Sequence, residues 1–289
     1  MDTYFRLVDV FGERPFSGNP LAVVLGATDV STQGMQEMTR WLNFSETAFV
    51  LPAIDPAADY RVRIFTLHRE MPFAGHPTLG SCHAWLASGG RPRRSDEIVQ
   101  ECGVGLVNIR RSNNNLAFRA PPLIRSGAVD QRKRMELAVF LGIPDSEILD
   151  ATWADNGPGW VVVMLRSAER VLKLRPAATY PTRLDVGVVG AYADNASPAF
   201  ELRAFFTDHN GAVREDPVTG ILNASVGQWL FATGRANRPY VASQGECLGR
   251  RGRIYVSRDH EGHVWVGGAT SDMFTGRLAV GDAQGKSLG

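Results

Sequence analysis

Three side chains of this 289-residue chain stand where proton chemistry is possible: Glu46, His76 and Asp216. His76 and Asp216 each precede a proline, a residue favoured in the first helical turn, so each is predicted to cap a helix. Free backbone N–H groups and the helix dipole at such an end favour a bound anion, such as a carboxylate or a forming enolate. The plainer interpretations are a loop-fixing hydrogen bond for His76 and a purely structural cap for Asp216.

The proton carrier among them is predicted to be Glu46. It lies between Asn43 and Phe49, where a helix gives way to a strand and the neighbours are apolar. Loss of water raises the pKa of a glutamate towards neutrality, which suits a group that both takes and returns a proton. A surface salt bridge at the start of a strand is the alternative interpretation.

The sequence contains an internal repeat, in which motifs of the first half recur in the second. The motif Tyr60-x-x-Arg63-x-Phe65 recurs 140 residues later, and the same spacing carries His76-Pro77 onto Asp216-Pro217. Later matches, at spacings of 144 and 145, are Trp85-Leu86 with Trp229-Leu230 and Glu101-Cys102 with Glu246-Cys247. Similar halves tend to pack about a pseudo-twofold axis, so His76 and Asp216 are expected to face one pocket.

Hydrophobic periodicity predicts an α+β protein of two pseudo-symmetric domains, each a mostly antiparallel rolled sheet around a central helix. The predicted helices are Thr32 to Leu42, Pro77 to Ala87, Asp130 to Leu141 with Asp130 as its cap, and Pro217 to Phe231. The predicted strands are Phe5 to Phe11, Leu21 to Leu25, Glu46 to Leu51, Tyr60 to Phe65, Leu106 to Arg110, Asn115 to Arg119, Trp160 to Leu165, Arg253 to Ser257 and His263 to Gly267. Domains are expected at residues 1–125 and 126–289, with the boundary placed to within about 15 residues. Residues near either terminus are allowed to belong to the opposite domain.

Composition indicates a globular protein without an obvious polyanionic partner. Hydrophobic residues make up 44% and charged residues 21%, while 31 Lys and Arg balance 30 Asp and Glu. This balance argues against nucleic-acid binding. The sequence has neither a signal peptide nor an apolar run of roughly 18 residues, so no membrane association and a cytoplasmic location are expected. Three cysteines without a C-x-x-C pair predict reduced thiols.

Several motifs, taken together and in order, resemble the phenazine biosynthesis isomerase (PhzF-like) family. They are Phe16-Ser-Gly-Asn-Pro-Leu-Ala-Val23, Ser45-Glu-Thr-Ala-Phe49, Pro72-Phe-Ala-Gly-His-Pro-Thr78, Glu215-Asp-Pro-Val-Thr-Gly220, Gln244-Gly245 with Gly249-Arg250, and Val266-Gly-Gly-Ala269. The resemblance covers nearly the whole chain. It implies the diaminopimelate epimerase-like fold, a homodimer, and a cofactor-free proton shift of the kind that isomerises dihydro-3-hydroxyanthranilate.

The same resemblance implies roles for individual residues. Glu46 would be the proton-shuttling acid/base, while His76 and Asp216 would hold a small carboxylate substrate and assist the transfer. Further substrate-binding positions would be Asn19, Ser45, Gly75, Thr219 and Gly220. Neither a metal nor a nucleotide cofactor is implied. This chain departs from the family at Ile221, five residues after Asp216, where the family commonly has serine, so the substrate is expected to differ.

Two other functions remain open from the sequence. Racemases of this fold use a thiol from each half, and Cys102 and Cys247 match in the repeat, although a small buried hydrophobe is the more usual role for such cysteines. A duplicated cleft could also hold a small carboxylate without any catalysis. His260 and His263 lie among charged neighbours and are predicted to be solvated surface residues without a cluster of metal ligands.

Overall fold

The computed structural model describes residues 3–112 and 115–278. The chain forms two compact units. The first comprises Met1–Val10, Pro20–Phe118 and Ala269–Gly289, and the second comprises Phe11–Asn19 and Arg119–Gly268. The chain therefore changes unit between Phe118 and Arg119, and a segment near each end belongs to the unit built mainly by the other half.

The first unit contains two helices and most of eight strands. The strands are β1 (Tyr4–Val10), β2 (Asn19–Leu25), β3 (Glu46–Leu51), β4 (Tyr60–Thr66), β5 (Glu70–Met71), β6 (Glu97–Cys102), β7 (Gly105–Ser112) and β8 (Asn115–Arg119). The helices are α1 (Thr32–Leu42) and α2 (Gly75–Ala87).

The second unit contains three helices and the remaining strands. The strands are β9 (Arg125–Ala128), β10 (Asp150–Asp155), β11 (Trp160–Leu165), β12 (Asp185–Ala191), β13 (Phe200–Thr207), β14 (Val213–Asp216), β15 (Tyr240–Gln244), β16 (Gly252–Arg258) and β17 (Val264–Arg277), the last of which ends in the first unit. The helices are α3 (Gln131–Leu141), α4 (Ala168–Leu172) and α5 (Gly220–Ala232), with 3-10 turns at Asp145–Glu147 and Glu246–Leu248.

The two units repeat the same strand pairing. In the first unit β2 pairs in parallel with β3, β3 pairs antiparallel with β4, and β4 pairs with β5 on one side and in parallel with β6 on the other. In the second unit β11, β12, β13, β14 and β15 follow the same scheme. The pairs β6–β7 and β7–β8 of the first unit, and β15–β16 and β16–β17 of the second, are antiparallel. The predicted α+β fold of two similar, mostly antiparallel halves is confirmed.

One enclosed helix lies within each sheet. Helix α2 packs against β1, β3 and β4, and α5 packs against β10 and β16. Both helices are apolar on nearly every side, so burial rather than amphipathic patterning holds them. Glycine permits the close approach: a Cβ at Gly80 would lie 2.5 Å from Leu21 Cδ2, and one at Gly227 would lie 2.7 Å from Val256 Cγ1.

Most predicted elements are found where the sequence placed them. Helix α1 and strands β3, β8 and β11 have the predicted bounds, and α3 is capped by Asp130, whose Oδ1 accepts from the backbone N of Lys133 at 2.7 Å. The predicted elements do not include strands β5, β6, β9, β10, β12, β13, β14 and β15 or helix α4. No helix in the described part of the chain is long and apolar enough to cross a membrane.

The predicted starts of the two central helices are wrong. Helix α2 begins at Gly75 with Ala74 as its N-cap, so His76 is the second helical residue and Pro77 lies inside the first turn. Helix α5 begins at Gly220 with Thr219 as its N-cap. Asp216 still belongs to β14, where it pairs with Ala204, and strand pairing therefore delays the helix beyond Pro217.

The expected equivalence of His76 and Asp216 is also wrong. Phe65 pairs with Glu70 in one hairpin, and Phe205 pairs with Glu215 in the matching one. The spacing between the copies is therefore 140 before the turn and 145 after it, because the second hairpin is five residues longer. At a spacing of 145, His76 corresponds to Ile221, and Asp216 corresponds to Met71.

Candidate functional site

The eight predicted site residues fall into two groups, one in each unit. Glu46, Ser45, Gly75 and His76 belong to the first unit. Asn19, Asp216, Thr219 and Gly220 belong to the second.

Glu46 is the first residue of β3, and its carboxyl is turned into the protein. The side chain as a whole is 20% exposed, but its Oε2 atom is fully enclosed and has no hydrogen-bond partner among the described residues. Burial raises the pKa of Glu46, and a hydrogen bond from Ser45 opposes that change. The direction agrees with the sequence prediction. A raised pKa brings a carboxyl closer to the range in which general acid/base groups work.

His76 provides the polar neighbour of that carboxyl. It is 3% exposed, and its Nε2 lies 3.8 Å from Glu46 Oε2, a distance that allows an ion pair if the ring is protonated but exceeds a hydrogen bond. The ring is held there because α2 starts one residue earlier, at the buried Gly75. The first unit therefore brings the predicted acid/base and one predicted supporting residue together.

Asp216 has the opposite environment. Its Oδ1 accepts from Asn19 Nδ2 at 3.1 Å, and its Oδ2 accepts from the hydroxyl of Thr219 at 2.5 Å. Thr219 makes no side-chain cap for its own helix, since its hydroxyl serves the aspartate instead. Asp216 is only half-buried, whereas Asn19 and Thr219 are buried. Asp216 is thus a partly exposed member of an otherwise buried polar network.

Two members of that network were not predicted as site residues. Gln244 Nε2 donates to Thr219 Oγ1 at 2.9 Å and to the backbone oxygen of Asp216 at 3.2 Å. Its Oε1 accepts from the backbone N of Thr219 at 3.1 Å and from Asn223 Nδ2 at 2.9 Å. Gln244 is fully buried. In the sequence, Gln244-Gly245 was one of the motifs that resemble the family, but no role was assigned to Gln244.

Comparison with known proteins identifies the family of this chain. The sequence profile of the phenazine biosynthesis-like protein family matches residues 8–276. The chain belongs to that family. It is therefore an isomerase with an epimerase-like fold, as the sequence motifs predicted.

Individual relatives illustrate the breadth of this family. The chain is 33% identical to the protein named antisense-enhancing sequence 1 of Schizosaccharomyces pombe, over 96% of this chain and 98% of that protein. It is 35% identical to trans-2,3-dihydro-3-hydroxyanthranilate isomerase of Pseudomonas aeruginosa, over 60% of each chain. A solved structure of a predicted epimerase from Pseudomonas aeruginosa matches with a TM-score of 0.77 at 27% identity, covering 96% of this chain and 99% of that one.

Ile221 marks the departure of this family member from the motif. Its side chain is 7% exposed, in the first turn of α5, directly after Gly220. Its backbone oxygen accepts from Asn156 Nδ2 at 3.0 Å and from Ser225 Oγ at 3.3 Å. The backbone at this position is therefore fixed, while the side chain offers no hydrogen-bonding group.

The cysteines of this isomerase are not placed for thiol chemistry. Burial raises the pKa of the Cys82 thiol to about 12 and also raises the pKa of Cys102 and Cys247. The predicted equivalence of Cys102 and Cys247 fails in the strand register: Gln100 and Ala242 hold matching positions, so Cys102 corresponds to Gln244. Reactive cysteines need a lowered pKa, which none of these settings provides.

One group of possible metal ligands lies outside both clusters. Asp259, Glu261 and His263 place ligand atoms within 4.8 Å of one another in the turn between β16 and β17. The expectation that His263 has no such companions is therefore wrong, because the hairpin folds the three side chains together. Asp259 is already engaged by the backbone N of Glu261 and His263 and by Trp265 Nε1.

Proposed function

We propose that this protein is a cofactor-independent isomerase that moves a proton on a small carboxylate-bearing substrate, with Glu46 as the acid/base. The enclosed, desolvated carboxyl of Glu46 is the observation that supports this proposal most directly. A general acid/base works best when its pKa lies near the operating pH, and burial moves the pKa of Glu46 in that direction.

The proposed reaction has two balanced steps. The Glu46 carboxylate first takes a proton from a substrate carbon, and the electron pair of the broken C–H bond passes into the adjoining unsaturated or carboxylate system. Glu46, now protonated, then delivers that proton to another carbon, or to the other face of the same carbon. No electron leaves the substrate, so the proposed reaction needs no redox partner.

His76 and Asp216 are proposed to hold the substrate and to balance charge during the transfer. Nε2 of His76 lies close enough to Glu46 to respond to its change of charge. Asp216 presents a fixed carboxylate at the edge of its buried network. Ser45, Asn19, Gly75, Thr219 and Gly220 are proposed as substrate-binding positions.

The substrate of the 35% identical relative, trans-2,3-dihydro-3-hydroxyanthranilate, is the first candidate. Ile221 argues for a related compound, because an apolar side chain cannot pair with a polar substrate group at that position. We propose that the substrate is a small cyclic or linear acid. Its apolar portion would contact Ile221, at the position where other family members commonly have a serine hydroxyl.

Solvent deuterium uptake tests the proposed function. The wild-type protein is incubated in D₂O with a panel of amino and hydroxy acids that includes trans-2,3-dihydro-3-hydroxyanthranilate, and mass spectrometry detects exchange at carbon. Exchange into at least one compound is expected. Binding of a panel compound without any exchange would favour a non-catalytic binding protein.

Glu46→Gln is expected to lower exchange by roughly 1,000-fold, since acid/base groups contribute about 10² to 10⁴. The matched control is Glu37→Gln, an exposed glutamate of α1, which should leave exchange unchanged. Undiminished exchange in the Glu46 variant would remove this residue from the mechanism.

A cytoplasmic location and a homodimer stay predictions. Cell fractionation tests the first, and light scattering after size-exclusion chromatography tests the second.

A further inference from the structure

Gln244 is held in one orientation by backbone groups that cannot change their roles. The backbone N–H of Thr219 can only donate, so it fixes Oε1 of Gln244 on its side. The backbone oxygen of Asp216 can only accept, so it fixes Nε2 on the other side. The two constraints agree, and the amide therefore has no alternative flip that keeps both hydrogen bonds.

That orientation determines the direction of the next hydrogen bond. Because Nε2 of Gln244 can only donate, Thr219 Oγ1 accepts from it. The hydroxyl proton of Thr219 must then go elsewhere, and Asp216 Oδ2 at 2.5 Å is its only acceptor among the described residues. Asp216 Oδ2 is thus an acceptor.

The other oxygen of Asp216 is fixed in the same way. Asn19 Nδ2 donates to the backbone oxygen of Val218 at 2.9 Å, which can only accept, so the amide nitrogen and not the oxygen faces the aspartate. The same nitrogen donates to Asp216 Oδ1 at 3.1 Å. Both carboxylate oxygens therefore accept a hydrogen bond, and two donors directed at the carboxyl favour its ionised form.

We propose that Gln244 is a positioning residue that, through Thr219, keeps Asp216 a hydrogen-bond acceptor only, so that Asp216 binds an N–H or O–H donor of the substrate. The part that concerns the substrate rests on the proposed function. The two donors favour an ionised Asp216 over a carboxylic acid that could donate a proton. A substrate carboxylate is repelled by it, while an amino or hydroxyl group is attracted.

The first unit also contains a buried glutamine that donates to a threonine, although Gln100 matches Ala242 and not Gln244 in the repeat. Gln100 is also fully buried, accepts from Tyr60 OH at 2.9 Å and donates to Thr78 Oγ1 at 3.0 Å. The hydroxyl of Thr78 then donates to the backbone oxygen of Ala74 at 2.9 Å. The relay has the same direction but ends on a carbonyl, which makes Gln100→Met a control for the loss of a buried amide.

The test is a pH titration of the Asp216 carboxyl by ¹³C NMR, with the protein labelled at aspartate Cγ and the signal assigned from Asp216→Asn. It needs no substrate. In Gln244→Met the midpoint should move to higher pH by about one unit relative to the wild type, because a donor to the charged form is no longer directed at it. Gln100→Met should leave the midpoint unchanged.

Thr219→Val provides a second, independent test in the same titration. If Gln244 acts through Thr219, the two single variants shift the midpoint alike and the double variant shifts it no further. Equal midpoints in Gln244→Met and the wild type would overturn the proposal, and so would additive shifts. Both results are read from a folded protein, whose melting temperature is compared with that of Gln100→Met.

The substrate arm uses the panel compound that shows deuterium exchange in the wild type. Gln244→Met should raise KM more than it lowers kcat, and the acid limb of its kcat/KM profile should move to higher pH. Gln244→Glu should recover part of the activity at low pH, where the protonated carboxyl can again donate to Thr219. If no compound exchanges, the proposed function fails, while the NMR arm still decides the role of Gln244.

Discussion

The beginnings of α2 and α5 occupy matching places in two copies of one fold, yet the carboxyl groups near them have opposite environments. At α2, the carboxyl of Glu46 is enclosed, its Oε2 lacks a hydrogen bond within the described chain, and burial raises its pKa. At α5, the carboxyl of Asp216 receives two hydrogen bonds from side chains that are themselves fixed by backbone groups.

This difference teaches how a duplicated fold can separate two roles. Carboxyl groups whose environments diverge serve as a proton carrier in one setting and as a fixed charge in the other. Each unit contains a buried glutamine that donates to a threonine, but the two pairs do not hold matching positions, and in the second unit the threonine donates to Asp216. In the first unit the strand position that matches Asp216 holds Met71, and the threonine donates to the backbone oxygen of Ala74.

After the loss of Glu46, the largest effect is expected for Asp216→Asn. An amide nitrogen at this position would face the donor of either Asn19 or Thr219, so one hydrogen bond becomes a repulsion. We expect kcat/KM for the exchanging compound to fall by about 100-fold, with most of the loss in KM, since an unmet buried polar group costs roughly 1–3 kcal/mol.

The control for this prediction is Asp208→Asn, which alters a turn aspartate that accepts from the backbone N of Asn210 and Ala212. It should change stability but leave KM as it is. A KM for Asp216→Asn equal to that of the wild type would show that the fixed carboxylate does not meet the substrate.

A smaller effect is expected for His76→Asn. Its Nε2 is 3.8 Å from Glu46 Oε2, so in the proposed mechanism the ring supports Glu46 and does not itself carry the proton. We expect kcat/KM to fall about 10-fold, within the range typical of a supporting group. His83→Asn is the matched control, because His83 lies in the same helix and contacts Thr270 instead. A loss as large as that of Glu46→Gln would indicate that the two residues act as one unit.

The smallest effect is expected for the thiols. Cys102→Ser with Cys247→Ser should keep exchange within about twofold of the wild type, because burial raises the pKa of both thiols and disfavours the nucleophilic form. Loss of exchange in the folded double variant would revive the cysteine-based racemase hypothesis.

The sequence predicted the fold class well, because strand and helix periodicity in this chain is strong. Glu46 was placed correctly at the start of β3, and its raised pKa followed from its apolar neighbours. The family motifs also pointed to His76 and Asp216, which the structure places in the two separate clusters described above.

Helix boundaries and repeat register could not be read from the sequence. Proline suggested helix starts after His76 and Asp216, but the pairing of Asp216 with Ala204 extends β14 through that residue. The extra five residues of the β13–β14 hairpin shifted the register between the copies. The residue types of that turn do not reveal how long the hairpin is. The direction of the Gln244 relay depends on three-dimensional contacts alone.

The most direct test of the contrast between the two carboxyls is the free energy of unfolding as a function of pH. Because the pKa of Glu46 is raised in the folded state, the stability tied to its protonated form is present below the pKa of the unfolded chain. That stability is lost as the pH rises through the folded value. Glu46→Gln keeps a neutral group at every pH.

Glu46→Gln should therefore match the wild type at pH 4 and exceed it by roughly 1 kcal/mol at pH 8. Asp216→Asn should be less stable than the wild type at pH 8, by about 1–3 kcal/mol, because two donors lose a charged acceptor. Urea unfolding of the three proteins at both pH values measures these differences. A Glu46→Gln protein that is less stable than the wild type at pH 8 would contradict the account.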